Sequence, residues 1–236
     1  MRTVRLSFRQ MLAFLRRDMM LFAACAAPVL VGFFFRFGIP FLEVILTGWL
    51  CMPSILSSYY RLFDVAFAML SPAMFCFVAA MVSLEEADEK TAAYLFITPL
   101  GKTGYLVSRL GVPAVVAFLV TIVLFPVFQL TVFSPAAIFL FAAGGTLQGM
   151  IVALLVLTVS SNKLEGMAVT KLATLLVLGA VVPFFVKGDL QYAASALPSF
   201  WMGKAACGHG LFYMLPAFVL SGVWIWFLLR RYQRKM

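Results

Sequence analysis

Six apolar runs, residues 19–35, 65–83, 110–130, 136–159, 167–186 and 211–229, leave this chain few ways to fold. A helix rising 1.5 Å per residue needs about 20 apolar residues to cross a hydrocarbon layer of roughly 30 Å. Five of the runs approach or exceed that length, and the first must borrow flanking residues. Spans of this kind are helical, because lipid offers the backbone no hydrogen-bond partners. Composition agrees: 64% of the residues are hydrophobic and 11% charged, whereas a soluble domain carries roughly a quarter charged. The sequence therefore predicts an all-α integral membrane protein with six transmembrane helices.

Charge orients it. With six spans both termini share one side, and 14 of the 18 Lys and Arg fall there, leaving Arg36, Arg61, Lys187 and Lys204 opposite. The positive-inside rule makes the rich side cytoplasmic and accounts for the net charge of +9 without nucleic acid. At 100° per residue Arg2, Arg5, Arg9 and Arg16 fall within roughly a 60° arc, away from Val4, Phe8, Met11, Phe14 and Leu15. Residues 1–18 are thus expected to form an amphipathic helix lying in the membrane interface, anchored by those arginines. The apolar stretch before Cys25 is too short for a signal-peptide core, so no cleavage is expected.

Two segments resist simple assignment. Residues 37–56 are apolar but interrupted by Pro40, Glu43 and Pro53, and are read as an extracellular interfacial or re-entrant segment. Residues 187–210 carry Asp189, Pro198, Trp201, Lys204 and Gly208, and read as a second such segment before span 6. In the fourth span Gly145 and Gly149 have the small-xxx-small spacing that lets helices approach closely, a weak packing signal. Gln129 and Gln148 are read first as sources of helix-to-helix hydrogen bonds, and second as pathway-lining groups.

The connector at residues 84–113 stands apart. Glu85, Glu86, Asp88 and Glu89 are four of the nine carboxylates, and are expected in the first turn of a helix, where its dipole favours them. Tyr94, Leu95, Phe96 and Ile97 follow, and Thr98 before Pro99 stops the helix. Acidic residues contribute little to membrane topology, and an apolar tip is costly to leave in water. The connector is therefore read as a cytoplasmic docking surface for another protein.

No catalytic constellation accompanies it. The one histidine, His209, has no acid or cysteine beside it, and no glycine-rich phosphate loop, H-E-x-x-H or G-x-S-x-G occurs. The four cysteines are dispersed with no C-x-x-C and read as apolar filler, so neither disulfide nor metal site is expected. Energy for any transport must come from a partner.

At the connector the sequence resembles the permease subunits of ABC-2 type ABC exporters, and is most similar to drug-export permeases of the fluoroquinolone kind. The likeness rests on the acidic cluster closing the second span, Glu89, Lys90 and Thr91, then Thr98, Pro99 and Leu100, and Tyr105, Leu106 and Arg109 opening the third. The stretch from Leu197 to Ala205 resembles the proline/tryptophan segment before that family's last span. The resemblance implies a six-span domain over 19–229, a coupling segment at 84–109 and a basic cytoplasmic tail at 230–236. It implies that Glu85, Glu86, Asp88, Glu89 and Thr91 link the coupling helix to the membrane body or to an ATPase. Phe96, Ile97, Thr98, Pro99 and Leu100 would enter a groove of that ATPase. It further implies a second permease, identical or not, and ATP with Mg held by the partner ATPase, in a bacterial inner membrane. Two rivals from other classes remain open: a membrane-embedded enzyme acting on lipid, and a sensor or assembly factor that does not transport.

Overall fold

A computed structural model of the chain describes residues 7–11, 18–97 and 101–235, without the side chains of Ala93, Phe96, Ile97 and His209. Among the described residues six helices are long and apolar enough to cross a membrane: α1 (Met19–Leu50), α2 (Ser57–Asp88), α4 (Gly101–Phe128), α5 (Pro135–Val159), α6 (Lys163–Phe185) and α8 (Leu211–Lys235). Between them lie two short helices, α3 (Thr91–Ile97) and α7 (Pro198–Lys204). No strand occurs among the described residues. All six expected spans are present, most of them with longer ends.

The first helix departs from expectation. Residues 37–50 continue α1 instead of forming a separate interfacial or re-entrant piece. A π-turn at Phe34–Gly38 loosens the ladder just ahead of Pro40, where the missing N–H would otherwise break it. At 1.5 Å per residue the 32-residue helix is about 48 Å long and outruns a hydrocarbon core. It ends at Cys51, whose φ of 51° is left-handed. Glu43 then fastens the return, its carboxylate accepting from the amides of Ile55 (3.0 Å), Leu56 (2.6 Å) and Ser57 (3.4 Å).

The centre of the bundle is the α2–α5 pair. A Cβ on Gly145 would lie 1.9 Å from the carbonyl oxygen of Ala68, and one on Gly149 would lie 3.0 Å from Ala73 Cα. Only glycine lets the backbones come this near, so the small-xxx-small spacing marks the tightest helix crossing here. Helix α4 joins through a hydrogen bond between the Ser71 and Thr121 hydroxyls (3.1 Å). Apolar packing divides into two clusters. One, toward the acidic connector, gathers Met81, Leu110, Ile151, Leu154 and Leu228. The other, at the opposite end, gathers Phe67, Phe125, Phe141, Met202 and Met214. By contrast α1 turns Phe22, Leu30, Phe33, Phe37 and Phe41 outward, as a helix facing lipid does.

Helix α7 packs on α6 and α8. Ser199 Oγ donates to the Leu176 carbonyl (2.5 Å), and Trp224 Nε1 donates to the carbonyl of Ala196 just ahead of α7 (3.2 Å). Residues 7–11 are helical, with Ser7 and Met11 buried and Arg9 exposed. Arg2, Arg5 and Arg16 lie outside the described residues.

Candidate functional site

The acidic cluster sits at the C-terminal end of α2, which closes at Asp88, and not in the first turn of the next helix. Lys90, with a left-handed φ of 59°, turns the chain so that α3 begins only at Thr91. Carboxylates at a helix C-terminus oppose the macrodipole, so they need compensation. Two distant elements, α4 and α6, supply cations and donors.

Arg109 supplies the first. A π-turn at Val107–Gly111 carries its side chain inward, where it is 1% exposed. The guanidinium grips Glu86 in a two-pronged pair, Nε to Oε2 at 2.9 Å and Nη2 to Oε1 at 2.5 Å. Such side-on pairing uses the planar fork that lysine lacks. Tyr105, also 1% exposed, donates its hydroxyl to Glu86 Oε2 (2.9 Å). The remaining arm, Nη1, donates to the Ser7 carbonyl (2.9 Å), while the Ser7 and Ser108 hydroxyls meet at 3.3 Å. One carboxylate thus ties α2, α4 and the N-terminal segment together.

Lys163 supplies the second. Its ammonium bridges Asp18 (2.8 Å) and Glu85 (2.6 Å), and its amide donates to Asp88 Oδ2 (3.0 Å). Asp18 in turn caps α1, accepting from Met20 and Leu21. The Lys163 ammonium holds the Asp18 carboxyl below its usual value. The start of α6 therefore locks to the ends of both α1 and α2. Asn162 and Glu165 form a reciprocal box there, with Asn162 Oδ1 accepting from the Glu165 amide and Glu165 Oε2 accepting from the Ser161 amide.

The connector itself is joined to α2 by Thr91, whose hydroxyl donates to the Glu86 carbonyl (3.0 Å). Glu89 is exposed and Tyr94 is 70% exposed. Of the other residues expected to couple, Thr98, Pro99 and Leu100 lie outside the described residues, as do the side chains of Phe96 and Ile97. So Glu85, Glu86, Asp88 and Thr91 turn toward the membrane body, and Glu89 with Tyr94 faces out.

At the opposite end lie two buried charges, Asp64, which the sequence did not single out, and Lys204. Asp64, 2% exposed, accepts from the Leu130 amide (2.7 Å) and from Thr131 through its amide (2.9 Å) and hydroxyl (2.6 Å). Arg36 donates to the Gln129 carbonyl beside it (2.7 Å). Together they fix the loop after α4. Lys204, 3% exposed, sits 4.0 Å from the Tyr192 ring centre and 5.1 Å from that of Tyr213, a cation held by aromatic faces. The helix-to-helix hydrogen bonds expected of Gln129 and Gln148 are not formed by the groups that remain bare. Both amide atoms of Gln148 and the Oε1 of Gln129 are buried without a partner among the described residues. A glycine-faced α5 brings main chain, not polar side chains, against α2 at that level.

No group of three or more His, Cys, Asp or Glu among the described residues is placed to hold a metal ion. What the geometry defines is a polytopic helical membrane protein whose connector between α2 and α4 is pinned to the bundle by one buried ion pair, Arg109–Glu86, and by the half-buried pairs of Lys163. Residues 11–229 match the family model described as fluoroquinolones export permease protein Rv2686c-like, and the chain belongs to that family. Two curated relatives, both named fluoroquinolones export permease protein, come from Mycobacterium tuberculosis strains CDC 1551 / Oshkosh and ATCC 25618 / H37Rv. Each is 27% identical over 190 residues, covering 76% of this chain and 75% of the relative. No solved structure matches the chain. It is a drug-export permease by family.

Proposed function

We propose that this chain is the membrane subunit of an ATP-driven ABC-2 type exporter, moving a hydrophobic or amphipathic compound outward while a separate ATPase binds ATP and Mg. The observation that carries the reading is the pinned connector: α3 is tied to α2 through Thr91 and Glu86, and Glu86 to α4 through Arg109. Force applied to the outward face of the connector at Glu89 and Tyr94 reaches both spans together. ATPase closure then shifts the bundle between inward- and outward-facing packings, because the partner contacts the two differently. Glu85, Glu86, Asp88 and Thr91 act as the stiff root of the lever. Glu89, Phe96, Ile97, Thr98, Pro99 and Leu100 act as its tip. Both termini face the cytoplasm, Arg2, Arg5, Arg9 and Arg16 rest at the inner-membrane surface, and a second permease completes the transporter. The relatives' names favour fluoroquinolone-like drugs as cargo.

The test is purification of the tagged protein in mild detergent with identification of the chains that accompany it. A stoichiometric P-loop ATPase is expected, together with drug accumulation on deletion of either gene. A protein that purifies alone at every detergent strength, in cells whose drug accumulation is unchanged by its loss, would overturn the reading.

A further inference from the structure

Directly behind the connector, among α2, α3, α4, α5 and α8, lies a cavity of about 310 Å³. Its polar lining is Ser83, Lys90, Ser160, Ser161, Tyr232, Lys235 and Tyr105, whose hydroxyl is taken by Glu86. No carboxylate lines it among the described residues. The walls between are apolar, with Leu84 and Leu157 among them.

Two features mark this as a built site and not a packing gap. Ser160 is 0% exposed, yet its hydroxyl has no hydrogen-bond partner among the described residues. A buried hydroxyl left unpaired is destabilising unless something fills the place. Two exposed lysines of the lining, Lys90 and Lys235, form no ion pair among the described residues. Lys235 Nζ donates to the carbonyls of Leu157 and Ser160, which leaves one of its three N–H bonds for a ligand. Lys90 reaches the wall because its left-handed backbone, φ 59°, turns the chain there. Strain at a non-glycine residue is kept where the surroundings demand that placement. Glu165, whose charge acts on Lys235, is already engaged with the Ser161 amide.

We propose that this cavity binds a phosphate group, with its oxygens accepting from Lys90, Lys235 and the Ser160 hydroxyl. A tetrahedral oxyanion has enough acceptor sites for all three. The source is either the headgroup of an anionic phospholipid, whose chain the apolar walls suit, or free phosphate. Bound there, it joins the turn ahead of α3 to the ends of α5 and α8, and so stiffens the root of the connector. The inference goes beyond transport and rests on this chain alone, so its failure and the failure of the exporter reading are separate events.

Binding is tested on delipidated protein in detergent by native mass spectrometry and by melting temperature, titrating dioctanoyl phosphatidylglycerol, dioctanoyl phosphatidylcholine and inorganic phosphate. Saturable phosphatidylglycerol binding is expected, weakened at least about tenfold in the K90Q/K235Q double variant. Ser160→Val, which fills the site with methyl groups, should weaken it similarly while melting near wild type in the absence of ligand. An R230Q/R231Q/R234Q variant, altered only in the basic tail of α8, should bind as wild type does. Displacement of the lipid by millimolar inorganic phosphate would assign the site to free phosphate, and no displacement to the lipid. Equal binding in wild type and K90Q/K235Q, loss confined to the arginine variant, or no binding of either anion would overturn the proposal.

Discussion

The Arg109 guanidinium meets the Glu86 carboxylate at 2.9 and 2.5 Å, across 23 residues of chain that include the whole of α3. Removing one partner of a buried pair strands the other charge and costs about 3–5 kcal/mol. Glu86→Gln should therefore lower the melting temperature of the detergent-solubilised protein by several degrees. Arg109→Lys should lose less, since charge remains while the two-pronged geometry goes. Circular dichroism melts of the two variants check this, and a Glu86→Gln protein that melts like wild type would sink it.

The Lys163 clamp has a pH signature. Asp18 is held below its ordinary pKa by the Lys163 ammonium, so it binds protons less readily folded than unfolded. A group depressed in this way adds stability that is complete above its unfolded value, about 3.9, and is lost as pH falls through the lower folded value. The melting difference between wild type and Lys163→Gln should be level from pH 7 to 5 and shrink below about pH 4. A difference that persisted unchanged to pH 3 would show that the clamp stabilises through something other than these carboxylates.

The α2–α5 crossing predicts a graded glycine series. Gly145→Ala puts a methyl group 1.9 Å from the Ala68 carbonyl oxygen, which no rotamer change relieves. Overpacking of this kind costs about 1–3 kcal/mol or more. Gly149→Ala, whose nearest contact would be 3.0 Å, should cost less, and Gly222→Ala, with nothing within 4 Å, should be silent. Size-exclusion profiles and melts of the three variants should rank in that order.

The elements were legible because each apolar run is a local signal, and so were the close contact at Gly145 and the acid cluster before α3. What could not be read was where the acids point. Helix boundaries are weakly encoded: Glu85 and Glu86 suit a helix start by charge, and only the left-handed turn at Lys90 shows that they close the helix before it. Their partners are remote. Glu85 lies 78 residues from Lys163 and Ser7 lies 102 from Arg109, and nothing at such separations leaves a periodic trace. Arg109 was one more cytoplasmic positive charge, and only the π-turn at Val107–Gly111 aims it inward. The break suggested by Pro40 and Glu43 failed for the same reason. A π-turn accommodates the proline, and the glutamate serves the return turn twelve residues later.

The division of the connector into root and tip gives the sharpest functional contrast. Glu89 is exposed and Tyr94 is 70% exposed, whereas Glu86 is committed to Arg109 and Tyr105. Exposed changes with no lost partner cost little stability, so Glu89→Lys with Tyr94→Ala should melt as wild type does. If α3 is the surface a partner pushes, the same double variant should lose most drug export and most of its co-purifying ATPase. Glu86→Gln should instead lose export together with thermal stability. Accumulation assays run beside melts separate the two patterns. Full export by the Glu89→Lys/Tyr94→Ala protein would mean that the partner docks elsewhere on the cytoplasmic face.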